Sequence, residues 1–201
     1  GTRMIGADLA DGTSVDATDV IIATDSAPAL ALAGSVGVRL PETTNALGST
    51  SLYFAADRAP LPGRSLWLNA ETNAVISHAV TLTEVAPEYG SGKHLLVATA
   101  VGEAADLDDN ALDEAARAML SRMAALGKAG SLPELSRIAV MRVPYSQFSQ
   151  PPGFEVQQPA IAGAPTGLWR ASEHLHSSSL EGAARGGQLA ATALLAHHAG
   201  T

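Results

Sequence analysis

One segment near the carboxy terminus restricts this chain more than any other. Gly167-Leu-Trp-Arg-Ala-Ser-Glu173 reads as a strand that ends on a carboxylate, and His174 to Ser179 as a Ser-rich turn. From Glu181 to His198 the run is dominated by small residues, among them Gly182, Ala183, Gly186, Gly187 and Ala191, and predicts a closely packed helix. That order delivers one carboxylate and a row of unpaired backbone N–H groups to a single point. A polyol phosphate suits such a point, because its hydroxyls donate to the carboxylate while the helix N-terminus faces phosphate or another electron-rich group.

The remainder of the chain sorts into segments by periodicity and turn residues. Arg3 to Ala10 leads into Asp11-Gly12, a strong hairpin signal, with Thr13 to Asp16 as the returning strand. Val20 to Ala23 is wholly apolar, as expected of a strand buried on both faces. Asp25 or Ser26 is placed to cap a helix that has Pro28 in its first turn and ends at Gly34. From residue 40 to 102 the pattern changes. Ser49 to Ala56, Arg64 to Leu68, Val75 to Thr83 and His94 to Ala100 read as strands with short turns between them, hence an antiparallel sheet.

Asp109-Asn110 then opens an amphipathic helix, with Leu112, Ala115, Ala116, Met119, Leu120, Met123 and Leu126 on its apolar face and Gly127-Lys128 at its close. Arg137 to Tyr145 is a further strand, and Pro144 to Gln158 a loop rich in Gln and Pro. Short β segments at both ends flank a meander with its own helix, the pattern of one domain interrupted by another. The expected division is 1–34 and 161–201 for one lobe and 35–160 for the other. The fold class is α+β (mixed): an antiparallel-sheet lobe with a helix, flanked by strand and helix pieces of a Rossmann-like lobe.

Composition narrows the function. A net charge of −8 with only 12 Lys and Arg argues against a nucleic-acid partner. No cysteine is present, which removes thiolate catalysis and Cys-based metal sites and fits a cytoplasmic protein. No apolar run reaches the ~18–20 residues of a membrane span. The chain starts at Gly1 with neither a methionine nor a leader, and is expected to be cut from something longer.

Four stretches resemble the FAD-dependent amine oxidase and phytoene desaturase superfamily. Asp11-Gly12 through Val20-Ile-Ile-Ala23-Thr24 is similar to a hairpin and strand of its FAD domain, and Val85-Ala-Pro87 through Leu96 to a segment of its substrate domain. Gly153, with the Pro-rich turn before it, resembles the loop that returns to the flavin. Gly167-Leu-Trp through Gly182-Ala183 and Gly187 is the most specific match. Two departures stand inside it: Ser172 where the family usually has Gly, and Gly186 where it commonly has Ser. The family's Gly-x-Gly-x-x-Gly loop has no counterpart, since in Gly90-Ser-Gly92 the third glycine's place is taken by Leu95.

The resemblance implies an oxidoreductase that takes a hydride from a substrate C–H onto flavin N5, with FAD as cofactor. It implies that Glu173 accepts from ribityl or ribose hydroxyls, and that Ala171 and Ser172 lie near the phosphates. The backbone of Leu180, Glu181 and Gly182 would face the flavin edge where negative charge collects on reduction, Gly182 and Ala183 would allow its close approach, and Ser179 would be a further cofactor-binding residue. Ala23 and Thr24 would lie near the dinucleotide at a strand end.

Tyr145, Gln147 and Phe148, with Gln150, are candidates for lining the substrate cavity. No catalytic residue is assigned. The expected partners are a small apolar substrate and a separate N-terminal FAD-binding portion, without which the fragment is expected to be inactive and to hold FAD weakly or not at all. Read alone, Glu173 is equally a turn carboxylate satisfied by the hydroxyls of Ser177 to Ser179. His174 and His176 lack a third ligand, so no metal site is assigned. Two alternatives stay open: a non-enzymatic module binding an apolar ligand, and an accessory subunit of a flavoenzyme.

Overall fold

The computed structural model of the chain describes residues 2–40, 46–126, 130–161 and 163–200. The chain divides into two compact units, Gly1–Asn45 with Gln147–Thr201, and Ala46–Ser146. The divisions therefore fall inside the stretch 35–160 that was assigned to one lobe from sequence.

The second unit is built on a five-stranded sheet. Its strands are β4 (Ala46–Ala56), β5 (Trp67–Leu68), β6 (His78–Thr81), β7 (His94–Val101) and β8 (Ser136–Phe148), in the order β5-β6-β7-β4-β8. β4 with β7, β7 with β6, and β6 with β5 are antiparallel. β4 alternates strictly: Thr50, Leu52, Phe54 and Ala56 are buried, while Ser51, Tyr53 and Ala55 between them are half-buried. One face of the sheet is thus covered, and α2 (Asp109–Leu126) covers it. Leu112, Ala116, Met119, Leu120 and Met123 of α2 share one apolar cluster with Leu52, Phe54, Leu96 and Ala98.

Polar bonds fix where α2 begins. Asp108, one residue before the expected opening, accepts from the amides of Asn110 (2.9 Å) and Ala111 (3.0 Å), leaving fewer orphan donors in the first turn. Arg142 of β8 donates to the carbonyls of Ala105 (2.8 Å) and Leu107 (2.9 Å) and pairs with Asp109 at 2.5 Å. The expected apolar face of α2 needs one correction: Leu126 is 81% exposed, while Ala124, two residues earlier, is buried. The expected close at Gly127-Lys128 lies outside the described residues. β8 also runs three residues beyond Tyr145, so the loop begins at Ser149 and not at Pro144. Extended backbone tolerates Pro144 because proline's fixed φ is compatible with a strand.

The first unit is smaller in core and richer in turns. The Asp11-Gly12 hairpin joins β1 (Gly6–Asp8) to β2 (Ser14–Asp16). β3 (Val20–Ile22) pairs in parallel with β9 (Leu168–Arg170), so the two ends of the sequence meet in one sheet. With only these two strands among the described residues, the sheet leaves Ile21 43% exposed, so β3 is not buried on both faces as its apolar run implied.

α1 (Ser26–Ser35) runs through Gly34 and stops at Val36, whose amide reaches Ala33. Asp25 stands at its N-cap, with no hydrogen bond from the side chain. Ile22, Ala29, Ala33, Val38, Leu40 and Leu168 form the local apolar cluster. α3 (Leu180–Ala199) follows β9 after a turn, and its last turn is tied down by Asp19, which accepts from Trp169 Nε1 and from His198 Nε2, both at 2.9 Å. His197 meets the Trp169 ring edge-on at 5.5 Å. No described helix is long and apolar enough to cross a membrane.

Candidate functional site: a strand-end turn beneath a helix N-terminus

Parallel pairing gives β3 and β9 a common carboxyl end. Ile22 lies opposite Arg170, and the Ala171 amide donates to the Ile22 carbonyl at 2.9 Å. Ala23 and Thr24 therefore leave the sheet beside Ala171 and Ser172. The carboxyl ends of parallel strands are the side on which open α/β sheets hold ligands.

From Ser172 the chain makes one short 3-10 turn, Glu173–Leu175, and then enters α3 through Ser179. The Ser179 hydroxyl caps the helix by accepting from the Gly182 amide at 2.9 Å. The Ala183 amide donates to the Ser179 carbonyl at 2.9 Å. The amides of Leu180 and Glu181 have no such acceptor among the described residues and stand at the positive end of a helix of 20 residues.

Ser178 holds the turn together. Its amide donates to Gln150 Oε1 at 2.9 Å, and its hydroxyl accepts from the Phe148 amide at 3.0 Å. The same hydroxyl donates to Glu173 Oε2 at 3.3 Å, and the carbonyl accepts from Gln147 Nε2 at 3.5 Å. Of the readings left open for Glu173, the bond to a neighbouring serine is thus realised, and it fixes the carboxylate beside the helix entrance.

Gln147 and Phe148, named as cavity-lining candidates, brace this turn. The Phe148 ring is 2% exposed and stacks on His174 with centroids 4.0 Å apart. Tyr145 is half-buried and belongs to the other unit. The part played by Ser178 and His174 was not read from the sequence. The run of three serines was the signal, and the sequence tied it to Glu173 but not to Gln147, Phe148 or Gln150.

His174 is 2% exposed, and its ring shares a hydrogen bond of 2.9 Å between Nδ1 and the Ser172 hydroxyl. Its Nε2 is buried without a partner among the described residues. Burial, and secondarily the charge of Arg170, lower its pKa to about 4, so the imidazole is neutral at pH 7. His176 instead pairs with the Ser177 hydroxyl at 3.0 Å. Among the described residues no three His, Asp or Glu side chains gather as a metal site would require.

The glycines have a nearer cause than ligand clearance. A Cβ on Gly182 would lie 1.7 Å from the Ser177 carbonyl oxygen, and one on Gly186 would lie 2.1 Å from that of Ser172. Both let α3 settle onto the backbone of the turn. The second contact joins the two departures from the family pattern: Ser172, in place of glycine, lies under Gly186, in place of serine. The Ser172 hydroxyl is taken up by His174, which also donates its amide to it at 3.3 Å.

Gly90-Ser-Gly92, the nearest sequence to a dinucleotide loop, is a turn before β7, with Ser91 at φ 43° and the Lys93 amide donating to the Gly90 carbonyl at 2.8 Å. It lies in the second unit, away from α3 in the sequence and in a different compact body.

The family model for flavin-containing amine oxidoreductases matches residues 1–195. The chain belongs to this family. Its fold is similar to that of a putative protoporphyrinogen oxidase from Exiguobacterium sp. 255-15, with a TM-score of 0.67 at 14% identity over 92% of this chain and 43% of that one. It is also similar to an oxidoreductase from Methanosarcina mazei, with a TM-score of 0.51 at 15% identity over 92% of this chain and 44% of the other. The chain thus spans less than half the length of either structure. No curated protein matches it. Membership brings a flavin to the family's proteins, and the turn fits one: a restrained carboxylate stands beside two open helix amides, and the buried His174 Nε2 has no partner among the described residues.

Proposed function

We propose that this chain forms part of an FAD-dependent oxidoreductase and that Glu173 and the entrance of α3 hold the ribityl and ring portion of the cofactor. The observation that carries this reading is the meeting of two parallel strand ends with the α3 N-terminus around one immobilised carboxylate. FAD, when bound, accepts a hydride at its N5 from a substrate C–H bond.

The protein's own contribution is positioning and electrostatics. Ser178 restrains Glu173 so that it accepts from ligand hydroxyls without first losing rotamer freedom. The Leu180 and Glu181 amides place partial positive charge where an electron-rich ring edge is favoured, an effect already oriented before the ligand arrives. Ala171, Ser172, Ser179, Gly182 and Ala183 complete that wall, while Ala23 and Thr24 border it from the end of β3. The adenosine portion is held, in this reading, by protein beyond these residues, and the 201 residues by themselves bind FAD weakly and are inactive. The substrate is small and apolar, with Tyr145 among the residues that line its cavity, and Gln147 and Phe148 set behind the turn.

The test is flavin retention. Full-length Glu173→Ala is expected to emerge from gel filtration colourless while the parent stays yellow. Flavin occupancy equal to the parent would remove Glu173 from the site.

A further inference from the structure

A cavity of about 510 Å³ opens between β5 and the second half of α2, within the second unit. Register sets Trp67 of β5 opposite Ala79, a fully buried residue of the cluster that α2 covers. The indole packs against that same cluster, so it lies on the helix side of the sheet. Trp67, Met119 and Met123 line the cavity together with Glu71, Arg122 and Leu126. None of these residues belongs to the turn at 172–183.

The donor that Trp67 brings is unused. Its Nε1 is buried with no acceptor among the described residues, whereas Trp169 Nε1 bonds to Asp19 at 2.9 Å. A buried indole N–H usually finds a partner, because leaving it open forfeits the hydrogen bond it made to water when unfolded. Met119 and Met123 beside it are unbranched and repack around an entering group, which can uncover a donor otherwise closed to solvent.

Charge restricts the occupant further. Arg122 pairs with Glu71 at 2.7 Å, and Asn69 Oδ1 accepts from the Glu71 amide at 3.1 Å, so the two charges at this site are spent on each other. An ionised ligand would have to break that pair or give up its hydration uncompensated. The remaining contacts are apolar, and Leu126 stands exposed at the end of the α2 stripe, where a ligand would cover it.

We propose that this cavity is a second ligand site, for an uncharged, apolar molecule whose one acceptor, a carbonyl or ether oxygen, takes up the Trp67 N–H. The proposal goes beyond the flavin reading and shares no residue with it.

Three probes of one size test it: acetophenone, ethylbenzene, in which a methylene replaces the carbonyl, and benzoate. Each is titrated into full-length protein labelled on its tryptophan nitrogens, with affinities read from the probes' own NMR resonances. Acetophenone is expected to move the Trp67 indole proton downfield, and benzoate to bind at least about tenfold more weakly than acetophenone. Trp67→Phe should weaken acetophenone about fivefold relative to ethylbenzene, the worth of one neutral hydrogen bond. Leu126→Lys should weaken both neutral probes about threefold through lost apolar contact, with the urea midpoint unchanged.

An indole proton that acetophenone leaves in place would overturn the proposal, whether or not Trp67→Phe folds. So would benzoate binding as tightly as acetophenone, or an acetophenone-to-ethylbenzene ratio that Trp67→Phe does not alter.

Discussion

The two units are held together by different means. In the second, a strand alternation and a helix stripe close on each other, and side chains as large as Phe54, Leu112 and Leu120 reach zero exposure. In the first, the turn at 172–182 is held by hydroxyls, amides and two missing side chains, while its apolar cluster has six buried members among the described residues. Burial is forgiving of detail, because volume and polarity decide most of it. A polar turn is not, since each bond depends on a distance. The contrast separates a scaffold from a site, and it makes different substitutions costly in each.

The largest effect belongs to the scaffold. Phe54→Ala should lower stability by about 3–5 kcal/mol, read from urea unfolding, because the cavity sits between sheet and helix with nothing to fill it. A loss under ~1 kcal/mol would mean that the packing is looser than the zero exposure implies.

The next tests the turn by pH. His174 titrates near 4 when folded, against 6.5 when exposed. Between those values the unfolded chain binds a proton that the folded chain does not, so stability falls as pH falls through the window. At about 1.4 kcal/mol per pKa unit this amounts to roughly 3 kcal/mol, fully expressed near pH 4. His174→Phe, which keeps the stack on Phe148, should flatten that part of the profile. An unchanged slope would place the titration elsewhere.

Smaller again, Gly186→Ser should cost about 1–3 kcal/mol by pressing a Cβ into the Ser172 carbonyl. A neutral result, measured by thermal unfolding, would mean that α3 does not rest on the Ser172 carbonyl as closely as described. Smallest is Leu126→Lys, on an exposed position of α2, expected to change stability by less than about 0.5 kcal/mol.

Much of the scaffold was legible in the sequence because its periods are local. The alternation of β4, the Asp11-Gly12 turn and the stripe of α2 each follow from residues within one element. Where the reading missed, the deciding fact lay outside the element. Ile21 is apolar yet exposed where the described sheet has two strands, and Leu126 continues the stripe yet stays exposed at the last residue of α2. β8 passes through Pro144 for a related reason, since pairing with a neighbour overrides a local breaker.

In the turn, residue types were legible but partners were not. Glu173, Ser179 and the glycines stand out in the sequence. That Ser178 would be bonded to Gln147, Phe148 and Gln150 could not be seen from residues some thirty positions apart.

The most direct trial of the central claim is a crystal structure of the full-length protein with its flavin bound. The account predicts the ribityl chain and ring edge against Glu173 and the amides of Leu180 and Glu181, with Ser178 still holding the carboxylate. A flavin seated elsewhere, with Glu173 touching only Ser178 and solvent, would contradict it.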